Sequence, residues 1–228
     1  MGKTGQAKLS VKNIVGAGLV LLMVLLATYG GWRLIAPAPT PGFSLATSLL
    51  TGSPPKLGSA NASVTIVEFG DYQCPACGDW YRTQEASLIQ NLVDRGKANF
   101  VWRDFDFFGP DSISASEAAY AAGEQGKFWQ YHDLLLQNQR SPNSGWAGRQ
   151  NLTKFAEHLG LDMKRFDQAL DSGRYDSLIN SNHSLGVQAG ITETPTFFLI
   201  GPGGKVVTVA GGQPESVFEQ AIARLTSA

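Results

Sequence analysis

The chain has 228 residues, of which 43% are hydrophobic and 16% charged, and its formal net charge is −1 at pH 7. This composition suits one medium-sized folded domain with a sizeable core and lacks the basic excess of nucleic-acid-binding proteins. Because Cys74 and Cys77 are the only cysteines, a core held together by several disulfides is excluded.

The amino-terminal segment has the pattern of a membrane signal anchor. Three lysines in residues 1–13 precede an uncharged, mostly apolar run that ends at Trp32. Such a run is long enough to cross a bilayer, and the preceding lysines favour a cytoplasmic N-terminus. We therefore predict a transmembrane signal anchor over residues 14–35 and an extracytoplasmic body behind it. A cleaved signal peptide is the alternative.

Residues 36–56 have the composition of a linker. They are rich in proline, glycine, serine and threonine, which favour an extended chain that does not pack. We predict that the compact domain occupies residues 57–228.

The two cysteines lie where a predicted strand gives way to a predicted helix. Val64 to Phe69 is rich in β-branched and aromatic residues, and apolar residues recur at helical spacing from Gly78 to Val93. The unpaired N–H groups at a helix N-terminus favour a thiolate at Cys74, and Cys77 follows one turn later. This arrangement indicates a thiol–disulfide redox site.

Two other roles for the cysteine pair are possible. A zinc site needs two further ligands, yet the histidines at 132, 158 and 183 are scattered singly without ligand spacing. A purely structural disulfide would close a very short loop, which removes little entropy from the unfolded chain.

The rest of the chain predicts an α/β domain. Ala98 to Phe105 is a second strand, to lie beside the first, and a block of helices follows. The block is succeeded by a hairpin of two strands and a closing helix. In chain order these segments are helices over 112–125, 127–139, 151–159, 163–170 and 175–189, strands over 196–200 and 205–209, and a helix over 214–226.

Residues 57–226 resemble DsbA-type thiol–disulfide oxidoreductases of the thioredoxin superfamily. The resemblance rests on Gly58 to Cys77, on Ala118 to Leu135 and on Gly190 to Phe198. It implies a thioredoxin fold with a helical insertion, about residues 111–190, between the second strand and a hairpin that follows a cis-proline.

The same resemblance implies catalytic roles for three residues. Cys74 would be the exposed nucleophile and Cys77 the buried resolving thiol. Glu68 would be a buried carboxylate that accepts or delivers the proton of Cys77, a role that a raised pKa would suit. An edge glutamate facing solvent is the alternative for Glu68.

A substrate-binding surface is implied as well. Pro195 would be the cis-proline beside the disulfide, and the backbone of Thr194 would hydrogen-bond a substrate peptide. Pro75 and Ala76, between the cysteines, would contact the substrate.

Three nearby polar residues have simpler expected roles. Tyr72 and Gln73 are expected to line the substrate surface, and His132 is expected to be a packing or capping residue.

Together these features predict an exported enzyme that introduces disulfides into other proteins, without metal or cofactor. The resemblance implies re-oxidation by a membrane partner of the DsbB or vitamin-K-epoxide-reductase type. The helix end should lower the pKa of Cys74 by roughly one unit, which gives a moderately oxidising disulfide. An extracytoplasmic reductase or isomerase, or a non-catalytic binding module, remains an alternative.

Overall fold

The computed structural model describes residues 44–227. Within that range a five-stranded mixed sheet has the order β1-β3-β2-β4-β5. β2 and β3 run parallel, whereas β1 pairs antiparallel with β3, and β4 pairs antiparallel with both β2 and β5. The strands are β1 (Lys56–Leu57), β2 (Val64–Gly70), β3 (Ala98–Asp104), β4 (Thr196–Ile200) and β5 (Val206–Ala210).

The helices follow the predicted order. A short helix precedes β1, the active-site helix α2 joins β2 to β3, a helical insertion separates β3 from β4, and a last helix closes the described chain. They are α1 (Leu45–Leu50), α2 (residues 75–93), α3 (Pro110–Gly123), α4 (Phe128–Gln137), α5 (Arg149–His158), α6 (Met163–Asp171), α7 (Asp176–Gln188) and α8 (Glu215–Thr226). The predicted thioredoxin-type fold with a helical insertion is confirmed.

Helix α2 begins earlier than its apolar pattern indicated. Its first segment is Pro75–Trp80, with Cys74 at the N-cap and Pro75 in the first turn, where a missing N–H costs nothing. Two π-helical segments, Tyr81–Glu85 and Ile89–Val93, flank a single α-helical turn. These wider turns shift side chains away from ideal helical spacing, which the periodicity could not reveal.

Strand β2 lies at the centre of the sheet and sends alternate side chains to two apolar clusters. Ile66 packs in the cluster that contains α2 and α8 residues, whereas Val67 and Phe69 pack in the cluster that contains α1. This alternation is the expected consequence of the two-residue period of a strand. Because β2 is the central strand, its end is held on both sides by neighbouring strands. The two cysteines follow shortly after that end.

The folded unit begins earlier than the predicted boundary at residue 57. In α1, Leu49 is fully buried against the sheet, and its carbonyl accepts a 3.0 Å hydrogen bond from Nε of Arg103. Arg103 also donates to the carbonyl of Thr51, and the carbonyl of Pro55 accepts from the backbone of β3. Residues 44–56 are therefore part of the domain, and the linker prediction is wrong for them. Composition did not show this, because the helix is held by a buried arginine distant in sequence.

The predicted anchor at residues 14–35 lies outside the described residues. None of the helices within residues 44–227 combines the length and apolar character needed to cross a membrane.

Candidate active site

The two cysteines occupy the junction of β2 and α2, as predicted, and both are free thiols. The side chain of Cys74 is covered by the loop before β4, since its Sγ lies 3.4 Å from the carbonyl oxygen of Thr194. Cys74 is only 5% exposed and Cys77 1% exposed. The expectation of an openly exposed Cys74 is therefore wrong for this state, because the proline loop packs against it.

A buried aspartate fixes the turn that leads into the cysteines. Oδ1 of Asp71 accepts a 2.7 Å hydrogen bond from the backbone N–H of Gln73. Its Oδ2 accepts from the N–H groups of Phe107 and Phe108, at 2.6 and 3.0 Å. Asp71 thereby ties the active-site turn to the segment that follows β3. Aspartate commonly stabilises turns in this way, but its long-range partners were not visible in the sequence.

The helical insertion holds the same turn from the other side. Nε2 of Gln139 donates to the carbonyl oxygens of Tyr72 and Cys74, both at 2.8 Å. Gly78 leaves the space that this side chain occupies, because a Cβ there would collide with the Gln139 amide. The sequence did not predict Gln139 as a site residue, because it lies at the end of a predicted helix that carries no recognisable motif.

The thiol of Cys74 is acidic. The hydrogen bond from the Cys77 side chain is the largest cause that lowers the pKa of Cys74, to about 6, while burial opposes it. The Thr194 side chain and the backbone N–H groups of Cys77 and Ala76 lower it further. The fall is larger than the helix end alone was predicted to give, because the neighbouring thiol contributes most.

The pKa of the Cys77 thiol is shifted in the opposite direction, upward. Burial raises its pKa well above the ordinary value, and the hydrogen bond with Cys74 and the charges of Cys74 and Glu68 raise it further. The reduced site therefore holds a thiolate at Cys74 and a protonated thiol at Cys77.

Glu68 lies on central β2 and is 1% exposed, which excludes the edge-glutamate alternative. Burial raises the pKa of its carboxyl group well above the usual range, and the charges of Glu85 and Cys74 add to this. Gly70, two residues on, is needed here, since a Cβ at that position would collide with the ring of Trp102 and come within 3.1 Å of Glu68 Oε1. A buried carboxyl group whose pKa is raised in this way can exchange a proton with a thiol.

The three nearby polar residues are all inside the protein. Tyr72 and Gln73 are fully buried, so the expectation that they line the substrate surface is wrong. Tyr72 stacks on Trp102 with ring centroids 4.8 Å apart, and its hydroxyl lies 3.1 Å from Nδ1 of His132. His132 packs among aromatic rings, as expected, but it also approaches a carboxylate of Glu85.

The predicted substrate-contacting residues gather around the sulfur atoms. The Thr194–Pro195 peptide bond is cis, Thr194 is half-buried, and Pro75 and Ala76 are exposed in the first turn of α2. Their roles toward a substrate remain predictions.

A family sequence model described as "Thioredoxin" matches residues 51–208. The chain belongs to the thioredoxin family. Over 150 residues the chain is 28% identical to "Probable disulfide bond formation protein D" of Bacillus anthracis. The aligned region covers 64% of this chain and 69% of that protein. The solved structure of oxidised BdbD from Bacillus subtilis has a TM-score of 0.67 at 24% identity and covers 75% of this chain and 91% of its own. The predicted DsbA-type relationship is confirmed.

Similarity also extends to much longer proteins. A 146-residue region is 36% identical to "Na(+)/H(+) antiporter NhaA 3" of Salinispora tropica, and this region is 63% of the present chain. It covers 21% of the antiporter, so the chain spans about a fifth of the length of this protein and of the similar antiporter of Salinispora arenicola.

Proposed function

We propose that this thioredoxin-family chain oxidises pairs of thiols in exported proteins by exchange with a Cys74–Cys77 disulfide. The observation that carries this proposal is the contrast between the two thiols, with the pKa of Cys74 lowered to about 6 and that of Cys77 raised. A thiolate stabilised at Cys74 favours the reduced form of the site, and this makes the disulfide an oxidant.

The pH dependence of this effect follows from the direction of the shift. A free thiol has a pKa of about 8.5, so the stabilisation from the Cys74 thiolate is fully present above that pH. It is lost as the pH falls through about 6, the pKa of Cys74 in the folded protein. The disulfide should therefore become a weaker oxidant, relative to ordinary thiols, in acid.

The exchange proceeds in two steps. A substrate thiolate attacks Sγ of Cys74, the Cys74–Cys77 bond breaks, and Cys77 leaves with a proton supplied by Glu68. A second substrate thiolate then attacks the substrate sulfur of the mixed disulfide, and Cys74 leaves as a thiolate. Two substrate thiols are oxidised to a disulfide, and the enzyme disulfide gains the two electrons.

The substrate peptide would bind across the exposed first turn of α2. Pro75 and Ala76 present an apolar surface there, and the backbone of Thr194 would hydrogen-bond the peptide beside Pro195. The closeness of Thr194 to Sγ of Cys74 supports this placement. In the resting state that same loop covers the sulfur, so substrate binding must displace it slightly.

The proposal includes a location and a partner. The apolar run within residues 14–35 would anchor the chain, with the catalytic domain outside the cytoplasm, where disulfides persist. A membrane protein of the DsbB or vitamin-K-epoxide-reductase type would re-oxidise Cys74 and Cys77. The similarity to the Bacillus proteins named disulfide bond formation protein D supports the oxidative direction.

The decisive measurement is the reduction potential of the Cys74–Cys77 pair in glutathione buffers. We expect a value above about −200 mV, on the oxidising side of the glutaredoxins. A potential near that of thioredoxin, about −270 mV, would indicate a reductase instead. Thiols that do not exchange at all would indicate a binding module.

A further inference from the structure

Helix α4 brings a buried histidine with a free ring nitrogen against helix α2. His132 is fully buried, and its Nε2 has no hydrogen-bond partner among residues 44–227. Its other ring nitrogen, Nδ1, lies 3.1 Å from the hydroxyl of Tyr72. A buried polar atom without a partner calls for an explanation, and a bound ion is one of the few that remove the cost of burying it.

Two carboxyl groups lie next to this nitrogen. Oε1 of Glu85, in the first π-helical segment of α2, is 3.5 Å from Nε2 of His132. Asp133 follows His132 along α4, and one donor atom from each of the three residues lies within 4.8 Å of the other two. Imidazole nitrogen and carboxylate oxygen are both ordinary ligands of zinc in proteins.

The distance between Nε2 and Oε1 suits a shared ion better than a direct hydrogen bond. A hydrogen bond from an imidazole N–H to a carboxylate is about 2.7–3.2 Å long, so the 3.5 Å separation is too large for one. Two ligand atoms that each lie about 2.0–2.1 Å from a tetrahedral zinc ion are about 3.3 Å apart. Little movement would therefore bring Nε2 and Oε1 onto a common zinc ion.

The surroundings supply what a metal site needs beyond its ligands. When Nε2 binds an ion, Nδ1 carries the ring proton and donates to the hydroxyl of Tyr72, which is the usual outer-shell arrangement of a metal-bound histidine. Glu85 and Asp133 both line an open groove of about 570 Å³, through which an ion and water can enter. Asp133 also accepts a hydrogen bond from Tyr81, but a carboxylate has a second oxygen for the ion.

We propose that Glu85, His132 and Asp133 bind one zinc ion, with water as its fourth ligand, between α2 and the helical insertion. The ion joins α2, which begins directly after Cys74, to α4, which leads into Gln139 and its hydrogen bonds to the active-site turn. Zinc that binds only the folded chain also stabilises it by mass action. The site adds a structural ion to the proposed thiol chemistry and does not depend on the direction of that chemistry.

The test adds zinc to the full-length chain in competition with a chromophoric chelator. The chain is kept oxidised, so that Cys74 and Cys77 form a disulfide and do not bind zinc themselves. We expect one equivalent to bind, and Tm to rise by roughly 5–10 °C at about a hundred times Kd. Glu85→Gln and Asp133→Asn should each weaken binding by about 100-fold or more, since the loss of an outer-shell partner alone costs about 10–100-fold.

Asp94→Asn is the matched control, because it removes one charge from an exposed residue of the same groove that is not among the three ligands. Its zinc affinity should equal that of the wild type. An equal loss in Asp94→Asn would show that the groove only attracts cations by its charge, and this would overturn the site. If Glu85→Gln does not fold, Asp133→Asn decides the question, because Asp133 is only half-buried.

X-ray absorption at the zinc edge identifies the ligands directly. We expect one imidazole and otherwise oxygen ligands in the wild type, and no imidazole in His132→Asn. Sulfur ligands, or an imidazole signal that persists in His132→Asn, would overturn the site. Calcium binding as tight as zinc binding would also overturn it, because calcium prefers ligand sets made only of oxygen. So would a failure to reach saturation at millimolar zinc. None of these outcomes measures the reduction potential of the cysteine pair, so the proposed function is tested separately.

Discussion

The two sides of helix α2 differ in what they bury. On one side Trp80 packs against rings of the sheet and α8, with centroids 4.6 Å from Phe197 and 6.0 Å from Phe218. On the other side the charge of Glu68 raises the pKa of Cys77, and Oε1 of Glu85 lies 3.5 Å from Nε2 of His132. One helix therefore joins an apolar core to a buried polar cluster.

The two sides of α2 contribute to the free energy of folding with opposite signs. A buried side chain such as Phe218 contributes several kilocalories per mole, because its removal leaves a cavity. A buried polar group without a partner, such as Oε2 of Glu68, instead costs roughly 1–3 kcal/mol. The apolar side thus stabilises an arrangement in which the polar side can be destabilising and chemically active.

The largest expected effect removes the chemistry altogether. Cys74→Ser should abolish exchange and trap no substrates. Cys77→Ser should accumulate mixed disulfides, because its Cys74 thiolate can still attack a disulfide of a substrate protein, and no Cys77 thiol remains to release the bound protein. Non-reducing gels of cells expressing each variant measure this. Equal trapping by both variants would show that the two thiols do not have separate roles.

The next effect weakens only the apolar side. Phe218→Ala should lower the free energy of unfolding by about 3–5 kcal/mol, because Phe218 is fully buried against Trp80 and Phe197. The pKa of Cys74 should stay near 6. Denaturant unfolding and thiolate absorbance measure the two quantities. Phe107→Ala is the control, since Phe107 is 62% exposed and its loss should cost less than about 0.5 kcal/mol.

On the polar side of α2 we expect a substitution to raise the free energy of unfolding, by less than Phe218→Ala lowers it. The raised pKa of Glu68 means that stability is lost as the pH rises from about 4.3, its unfolded value, through its folded pKa. Glu68→Gln should therefore stabilise the reduced protein by roughly 1–3 kcal/mol at pH 8 and much less at pH 4, while slowing exchange. Unfolding at both pH values measures this, with exposed Glu219→Gln as the control. A Glu68→Gln protein that is less stable at pH 8 would contradict the pKa assignment.

The smallest expected effect tests what lowers the pKa of Cys74. Cys77→Ala should raise the pKa of Cys74 above 6, because the hydrogen bond from Cys77 is the largest cause of its acidity. Cys77→Ser keeps a hydroxyl donor and should leave the pKa closer to that of the wild type. Thiolate absorbance against pH distinguishes the two variants. Identical pKa values in both would assign the acidity to the helix end instead.

Much of the fold could be predicted from local pattern. The β-branched run of β2, the alanine-rich α3 and the glycines that end α5 and α7 are short-range signals, and the structure places elements there. The beginning of the domain could not be predicted in this way. Its helix α1 carries few local signals and is held by Arg103, which is more than fifty residues away.

By itself the sequence determined the cysteine pair and its position between a strand and a helix, because residue type and spacing along one chain encode these. The resemblance to a known family added Glu68 as the expected buried acid. Only the tertiary structure decided how acidic Cys74 is, that Gln139 holds the active-site turn, and that Glu85 lies 3.5 Å from the imidazole of His132. These properties depend on burial and on contacts between segments far apart in sequence. Such contacts have no period or motif, so they exist only once the chain has folded.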